Sequence, residues 1–484
     1  MHDDIKFYRH QVEGVEKMIY MRSFLLGDEM GLGKTLQTLA VFCYDIIKSK
    51  SKKMIVVCPK SLKMNWLEEA TKFTRIPTFV LAGSPTKRAE VLERFAEQYG
   101  AKILIINYEQ VGPYLNQLNQ LMFDIAVFDE AHYLKNPKSQ RTRNAMRLWS
   151  TRTFMVTGSP MLNHVNELYV LLNRISPGEW GSQHKFTQRY CVYGGYEGKQ
   201  IISAKNENEL NSRLQAVMVR RKKEDVLDLP KVQYIQKLIE LHPKQRKVYT
   251  EVLEDMKMTT GNNVEEIGNA LTKFLRLKMI CGTTAAVLES GEDHSYKLDI
   301  AADDARQLLD SGQKVIAFTQ FRQVQEAYAR RIRGHGVAET DYPIYILNGD
   351  VPAEPDGRDP KDPKKKWSRQ ELIHQWSRDP KPGIVIGMFQ VAGVGLNMTA
   401  AHYGQFLDKL FVPALNQQAV DRMHRIGAGS VPVQIIEYLC SNTIESRVEK
   451  ILASKKKVFG NVVEKSVWNS QLMNQLLEEE AEAA

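Results

Sequence analysis

The feature that most constrains this chain is a series of short apolar runs that do not alternate and that each end in polar or glycine-rich residues. In the first half they are SFLLGDE (23–29), MIVVCPKS (54–61), ILIINYE (103–109), IAVFDEAH (125–132) and FMVTGSP (154–160). In the second half they are VIAFTQF (315–321), IYILNGD (344–350), IVIGMFQ (384–390), GQFLD (404–408) and VQIIEYL (433–439). Consecutive Val, Ile and Phe without a polar alternation suit strands covered on both faces. Helical patterns such as Thr35 to Ser49 and Ser61 to Phe73 lie between them. Strand–helix alternation predicts βαβ units and parallel sheets. Each half has strands enough for its own sheet, so an α/β chain of two lobes is expected, 1–230 and 231–484. Ligands of such sheets bind beyond the carboxyl ends of the strands. The polar endings of the runs lie there.

From about 165 to 300 the strand pattern thins. NELYVLLNRI (166–175), ENELNSRLQAVMVRRKKEDVL (207–227) and PKQRKVYTEVLEDMKM (243–258) read as helices. They predict a helical protrusion on the first lobe from about 165 and a helical insertion in the second at about 240–300. Residues 350–367 hold prolines at 352, 355, 360 and 363 among many charges, the composition of an exposed loop. The acidic ending EEEAEAA belongs to a C-terminal helical tail with a frayed end.

Composition narrows the function class. Apolar residues at 43% and charged residues at 25% exclude a disordered, fibrous or disulfide-scaffold protein. The balance of 66 Lys+Arg against 57 Asp+Glu, +9, is compatible with a polyanion partner without requiring one. The five cysteines form no C-x-x-C pair, so no structural zinc is expected, and they read as reduced cytosolic thiols. No stretch reaches the roughly 18 apolar residues of a membrane span, and MHDDIKFYRH lacks the apolar core of a signal peptide. A soluble, cytoplasmic protein without a membrane partner is expected.

The chemistry begins at LLGDEMGLGKT (25–35), which follows an apolar run and opens a helix. Gly31 and Gly33 let backbone N–H groups curl round phosphates, and a helix N-terminus favours negative charge. Lys34 would reach the β- and γ-phosphates, and Thr35 would hold Mg²⁺, so ATP and Mg²⁺ are the expected cofactors. The strict loop pattern has glycine where this chain has Asp28. Asp129 and Glu130 end the run IAVF; the first suits the Mg²⁺ shell and the second can deprotonate the attacking water. Arg422 and Arg425, three apart in NQQAVDRMHRIG, share a helix face and can stabilise a transferring phosphoryl group. Each piece alone has a plainer reading: a glycine turn, a surface carboxylate pair, solvated arginines. Together they imply a nucleotide-driven motor with ATP between two lobes.

Read together, these residues resemble the Swi/Snf family of DNA-dependent ATPases within helicase superfamily two, from about Phe7 to about Lys456. DEMGLGKT (28–35), VCPKSLKMNW (57–66), DEAHYLKN (129–136) and TGSPMLN (157–163) resemble that family's motifs I, Ia, II and III. VRRKKEDVLDLP (219–230) resembles its interlobe signature. KVIAFTQF (314–321), GVGLNMTAA (393–401) and QAVDRMHRIG (418–427) resemble motifs IV, V and VI. YCVYGG, NENELNSRL and VMVRRKKEDV look most like the distant annealing-helicase-like branch. Ser159 replaces the usual threonine, Ala392 a glycine, Val412 a tryptophan and Ala428 a glutamine.

The resemblance implies RecA-like lobes, ATP hydrolysis and translocation along double-stranded or branched DNA. A monomeric motor is expected, with targeting from the helical insertions, the proline-charged loop or a separate protein. It implies that Gln11, after Phe7, reads adenine. Asp28, Gly31, Gly33, Lys34, Thr35, Gly395 and Gln418 then belong to the ATP site, and Arg422 and Arg425 complete it from the second lobe. Lys60, Ser61, Asn65, Trp66, Ser159, Thr319 and Gln320 lie on DNA-facing motifs. The basic run RRKK (220–223) reads as a DNA-backbone contact, a solvated face or a hinge. Lys364, Lys365 and Lys366 read as a tolerated surface insertion or as a DNA or partner contact, and Trp376 belongs to the core. Two other functions use the same motor: a strand-separating or strand-annealing helicase on DNA or RNA, and an ATP-gated DNA clamp acting through a partner.

Overall fold

The structure is a computed structural model. It describes residues 1–2, 5–194, 200–258, 275–288, 291–334, 342–356, 358–359, 362, 364–393, 395–427, 429–446, 448–449 and 452. These divide into two units, residues 1–228 and 229–454. The expected C-terminal helical tail lies outside the described residues, as does the middle of the helical insertion.

The first unit is built on one parallel sheet. Its strands are β1 (Ser23–Leu26), β2 (Lys53–Cys58), β3 (Thr78–Val80), β4 (Lys102–Asn107), β5 (Phe123–Asp129) and β6 (Ser150–Val156). A hairpin, β7 (Cys191–Gly194) and β8 (Gln200–Ala204), and a two-residue strand, β9 (Met218–Val219), follow. The sheet order is β3-β4-β2-β5-β6-β1-β9. Every run expected to be a strand in this half is one. The non-alternating pattern has the anticipated cause: residues 54–58, 103–106 and 125–128 are all fully buried. Ile55, Val57, Leu104, Ile106, Ala126 and Phe128 form one core with the helices on their face. Each of these side chains larger than alanine contributes about 1.5–3 kcal/mol when taken out of water.

Local chemistry sets the helix boundaries. Asn107 caps the Tyr108–Gln120 helix in a capping box with Gln110. Ser84 and Ser139 accept the N–H of the third residues of the Pro85–Glu97 and Gln140–Arg147 helices. One expectation needs correction. The segment 207–227 is not one helix: Glu207–Gln215 is helical, and the chain then enters β9 beside β1, followed by the short helix Lys223–Val226. Val217 to Val219 are apolar and short, and pairing with β1 outweighs helix continuation.

The second unit has β10 (Gln233–Ile239), β11 (Val315–Thr319), β12 (Ile344–Leu347), β13 (Ile384–Met388), β14 (Tyr403–Phe406) and β15 (Gln434–Cys440). They form a parallel sheet in the order β10-β15-β14-β11-β13-β12. Two cores cover its two faces. Val315, Ala317, Ile384 and Ile386 belong to one, Ile316, Phe318 and Val385 to the other. Trp376 is fully buried, as expected. β10 was not legible as a strand because it is an edge strand whose residues are mostly exposed and show no buried apolar run. The fold class is therefore the expected α/β one, with two parallel-sheet lobes and helical additions. No helix of the described residues is long and apolar enough to cross a membrane.

Candidate functional site

In the first unit, β6 lies between β1 and β5, so the residues that follow these three strands share one edge. After β1 comes the loop 27–33, and the Lys34–Ile47 helix starts directly after it. Gly31 and Gly33 have φ of 85° and 77°, the left-handed region that glycine enters without steric cost. A Cβ at Gly33 would lie 2.3 Å from Gln11 Nε2. The first-turn N–H groups of this helix have no intrahelical acceptor and carry the positive end of its dipole. Lys34 Nζ donates to the carbonyls of Asp28 (2.8 Å) and Glu29 (3.1 Å). Thr35 is half-buried in that first turn.

A strap made by β9 and the residues after it holds this loop. Gly27 N–H donates to Val219 O at 2.8 Å, and Glu29 N–H to Arg221 O at 3.0 Å. Arg220 Nη1 donates to Gly27 O at 2.7 Å and Gly158 O at 2.9 Å, joining the loop to the end of β6. Asp28 is fully buried. Its Oδ1 accepts Arg221 Nε at 2.9 Å and its Oδ2 accepts Arg221 Nη2 at 2.6 Å. The Arg221 N–H (3.1 Å) and Gln37 Nε2 (3.2 Å) bind the same carboxylate. Arg221 also donates to the His10 carbonyl.

At the end of β5, Glu130 adopts φ 49° and ψ 50°, a left-handed conformation that costs a non-glycine residue about 1–2 kcal/mol. Such strain persists where the surroundings over-determine it. Here Glu130 N–H donates to Asp129 Oδ1 at 2.9 Å, and Tyr133 N–H to Glu130 O at 2.9 Å. Tyr108 donates its hydroxyl to Asp129 O at 2.7 Å. Trp66 Nε1 donates to Asp129 Oδ2 at 2.7 Å. Burial, and then the adjacent Glu130 carboxylate, push Asp129 up to about 6, against the pull of the Trp66 hydrogen bond and the Lys34 charge. Beyond it, His132 Nδ1 lies 3.0 Å from Thr157 Oγ1 and 3.3 Å from Glu130 Oε2. Ser159 N–H donates to Thr157 Oγ1 at 3.1 Å. The ends of β5 and β6 are thereby tied through one histidine. A glycine-curled helix start, a lysine, a hydroxyl and a paired carboxylate provide the hard oxygen donors and the positive cradle that a Mg²⁺-bound phosphate chain needs.

In the second unit, Asp408, just beyond β14, gathers the end of β11. It accepts the Thr319 hydroxyl and, at 2.7 Å, Gln320 Nε2. Arg422 Nε donates to Gly393 O at 3.0 Å, and Met398 N–H to Arg422 O at 3.0 Å, so the two glycine- and arginine-bearing segments form one structure. Gly395 has φ 77° and needs glycine. Among the described residues, Gln418 Nε2 and Arg425 Nε are buried without a hydrogen-bond partner.

A family model described as the SNF2-related domain matches residues 10–285. The chain belongs to the SNF2-related family. Among the relatives of this SNF2-related chain is an uncharacterized ATP-dependent helicase of Mycoplasma pneumoniae, 27% identical over 92% of this chain and 40% of its own. A putative ATP-dependent helicase/translocase YwqA of Bacillus subtilis is 25% identical over 97% and 50%. The ISWI chromatin-remodeling complex ATPase ISW1 of Saccharomyces cerevisiae is 25% identical over 94% and 40%. The chain thus spans 40 to 50% of the length of these relatives. The solved Sulfolobus solfataricus SWI2/SNF2 ATPase core in complex with dsDNA aligns over 98% of this chain and 96% of its own, at 25% identity and a TM-score of 0.43.

Several expected contacts of this SNF2-related chain need correction. Asp28 was expected to touch ATP, but both its oxygens are engaged by Arg221 and Gln37 and it has no exposed surface. Gln11 is 2% exposed; it accepts Tyr8 N–H at 3.0 Å and donates to Leu32 O at 3.2 Å, so its amide braces the loop. Trp66, Ser159 and Thr319 were expected to face DNA and are buried. Gln320 is half-buried and bound to Asp408. Of the DNA set, Lys60 is exposed, and Ser61 and Asn65 are half-buried. The RRKK run is no solvated face, because Arg220, Arg221 and Lys223 are buried. Phe7 is half-buried upstream of the same loop, and Ala428 lies outside the described residues. Reading the sequence missed the strap arginines and Asp408. The strap had a signal: two arginines directly after the apolar pair Met218-Val219 are placed by a strand, and that pair was absorbed into a helix.

Proposed function

We propose that this chain hydrolyses ATP in a cleft between its two lobes and uses the energy to translocate along duplex DNA without separating the strands. The observation that carries the reading is the shared strand edge: the phosphate loop with Lys34 and Thr35 follows β1, and the Asp129–Glu130 pair ends β5, with one strand, β6, between them. Lys34 and the first-turn amides of its helix bind the phosphates. Thr35 and Asp129 hold Mg²⁺, which when bound neutralises charge on the transferring phosphoryl group. Glu130, fixed by its left-handed backbone and bridged to His132 and Thr157, takes the proton of the attacking water. Gln418, Gly395, Arg422 and Arg425 complete the site from the second lobe, the arginines stabilising the developing negative charge. Phe7, half-buried upstream of the loop, meets the base, and Gln11 braces the loop behind it. The exposed Lys60, with Ser61 and Asn65, grips DNA phosphates, which carry no sequence information.

The test is steady-state ATP hydrolysis without nucleic acid and with duplex DNA, single strands, forked DNA and RNA, using Lys34→Ala as the blank. Strong stimulation by duplex or forked DNA is the expected result. Equal hydrolysis with and without DNA removes the motor reading, and unwinding of long duplexes replaces it with a strand-separating helicase.

A further inference from the structure

Trp66 is fully buried on the Lys63–Phe73 helix, five residues after Ser61 and directly after Asn65. Its burial excludes the base-stacking role that its sequence context suggests, yet its polar edge is specifically placed. The indole N–H is a donor only. It meets Asp129 Oδ2 at 2.7 Å, within the short range of charge-assisted hydrogen bonds. Oδ1 of the same carboxylate accepts the Glu130 N–H at 2.9 Å. Each carboxylate oxygen has a second lone pair. The two donors therefore fix the plane of the group and leave each oxygen able to coordinate one further cation.

We infer that Trp66 is a positioning residue for the divalent cation: it clamps Asp129 in its coordinating orientation and connects that carboxylate to segment 60–65, where Lys60 is exposed and Ser61 and Asn65 are half-buried. The inference rests on the proposed assignment of Asp129 to the metal. Partners that orient a metal ligand from behind change metal affinity about 10–100-fold when removed. An indole serving only as core filling changes stability instead. The Lys63–Phe73 helix begins where Lys60 and Ser61 end, so a load on that segment displaces the indole as part of one rigid element. A donor bond this short weakens steeply with displacement. DNA on residues 60–65 thereby reaches the metal carboxylate through one side chain.

The decisive experiment uses the full chain and a fluorescent ADP analogue, with binding titrated by Mg²⁺ in the wild type, Trp66→Phe and Asp129→Asn. Phenylalanine keeps an aromatic ring in the core and removes the N–H together with part of the indole, so the melting temperature of the variant is recorded alongside. Trp66→Phe is expected to need about 10–100-fold more Mg²⁺ for half-maximal enhancement of binding, with binding in EDTA within about twofold of wild type. An unchanged Mg²⁺ midpoint in Trp66→Phe, alongside a shifted one in Asp129→Asn, overturns the inference and leaves the site reading intact. An unchanged midpoint in Asp129→Asn overturns the metal assignment and this inference with it. A second measurement needs no stable variant. In the ¹⁵N spectrum of the wild type, which has six tryptophans, one indole N–H signal should move when Mg²⁺ joins ADP and move again with duplex DNA. If none responds to Mg²⁺ the clamp is refuted, and if none responds to DNA the connection to residues 60–65 is refuted.

Discussion

Replacing Arg221 by alanine should destabilise the first unit by several kcal/mol. Asp28 is fully buried and receives two guanidinium bonds, at 2.6 and 2.9 Å. Removing one member of such a pair costs about 3–5 kcal/mol, because the other is left dry and without its partner. For a unit of this size about 4 kcal/mol corresponds to a fall of roughly 8–16 °C in melting temperature. A second variant separates stability from function. Asp28→Leu with Arg221→Met replaces the pair by apolar groups, which is often neutral or better for stability. It should recover most of the melting temperature but not ATP hydrolysis, since Arg221 also reaches Gln37 at 3.1 Å and the loop is left without its brace. Calorimetry, with ATPase rates on the same samples, is the assay. If Arg221→Ala melts within 2 °C of wild type, the brace argument is wrong.

Three further outcomes are expected. Glu130→Gln should retain nucleotide binding while the hydrolysis rate falls about 10²-fold or more, as removal of a general base does; a rate within threefold of wild type excludes Glu130 from proton transfer. Lys60→Ala should weaken binding to every duplex sequence alike and lower the slope of log affinity against log salt by about 1; an unchanged slope means that Lys60 meets no phosphate. Asp293, although burial pushes it up, is held below its ordinary value by hydrogen bonds from Arg331, Thr283 and Arg330. A depressed carboxyl stabilises the fold above its unfolded value and loses that contribution as pH falls through the folded one. Arg331→Ala should therefore cost about 1.5–3 kcal/mol at pH 7, and the difference should vanish in denaturant titrations run well below pH 4.

The ten apolar runs were legible as strands because burial on both faces leaves no room for polar alternation. The Asp129–Glu130 pair and the glycine loop were legible for a related reason: the end of a buried strand has to change composition abruptly. What stayed illegible depends on partners distant in sequence. Arg221 and Asp28 lie 193 residues apart and read separately as a basic run and an odd loop residue. Trp66 sits in a segment that also holds the exposed Lys60 and the half-buried Ser61 and Asn65, and only the position of Asp129 shows why an indole is turned inward there. β9 is two residues long, too short for any periodicity, and its existence follows from what β1 lacks on its outer side.

The place of β9 in the sheet also sets a clock for synthesis. β1 is made before the other strands of its sheet, and the partner that closes its outer edge follows roughly 190 residues later. At about 5–20 residues per second the ribosome needs on the order of 10–40 s to deliver it. Until then the edge of β1 is open to pairing with any strand within reach, including one from another nascent chain. The phosphate loop, complete in sequence after the first 35 residues, waits through that interval without the two arginines that give it its shape.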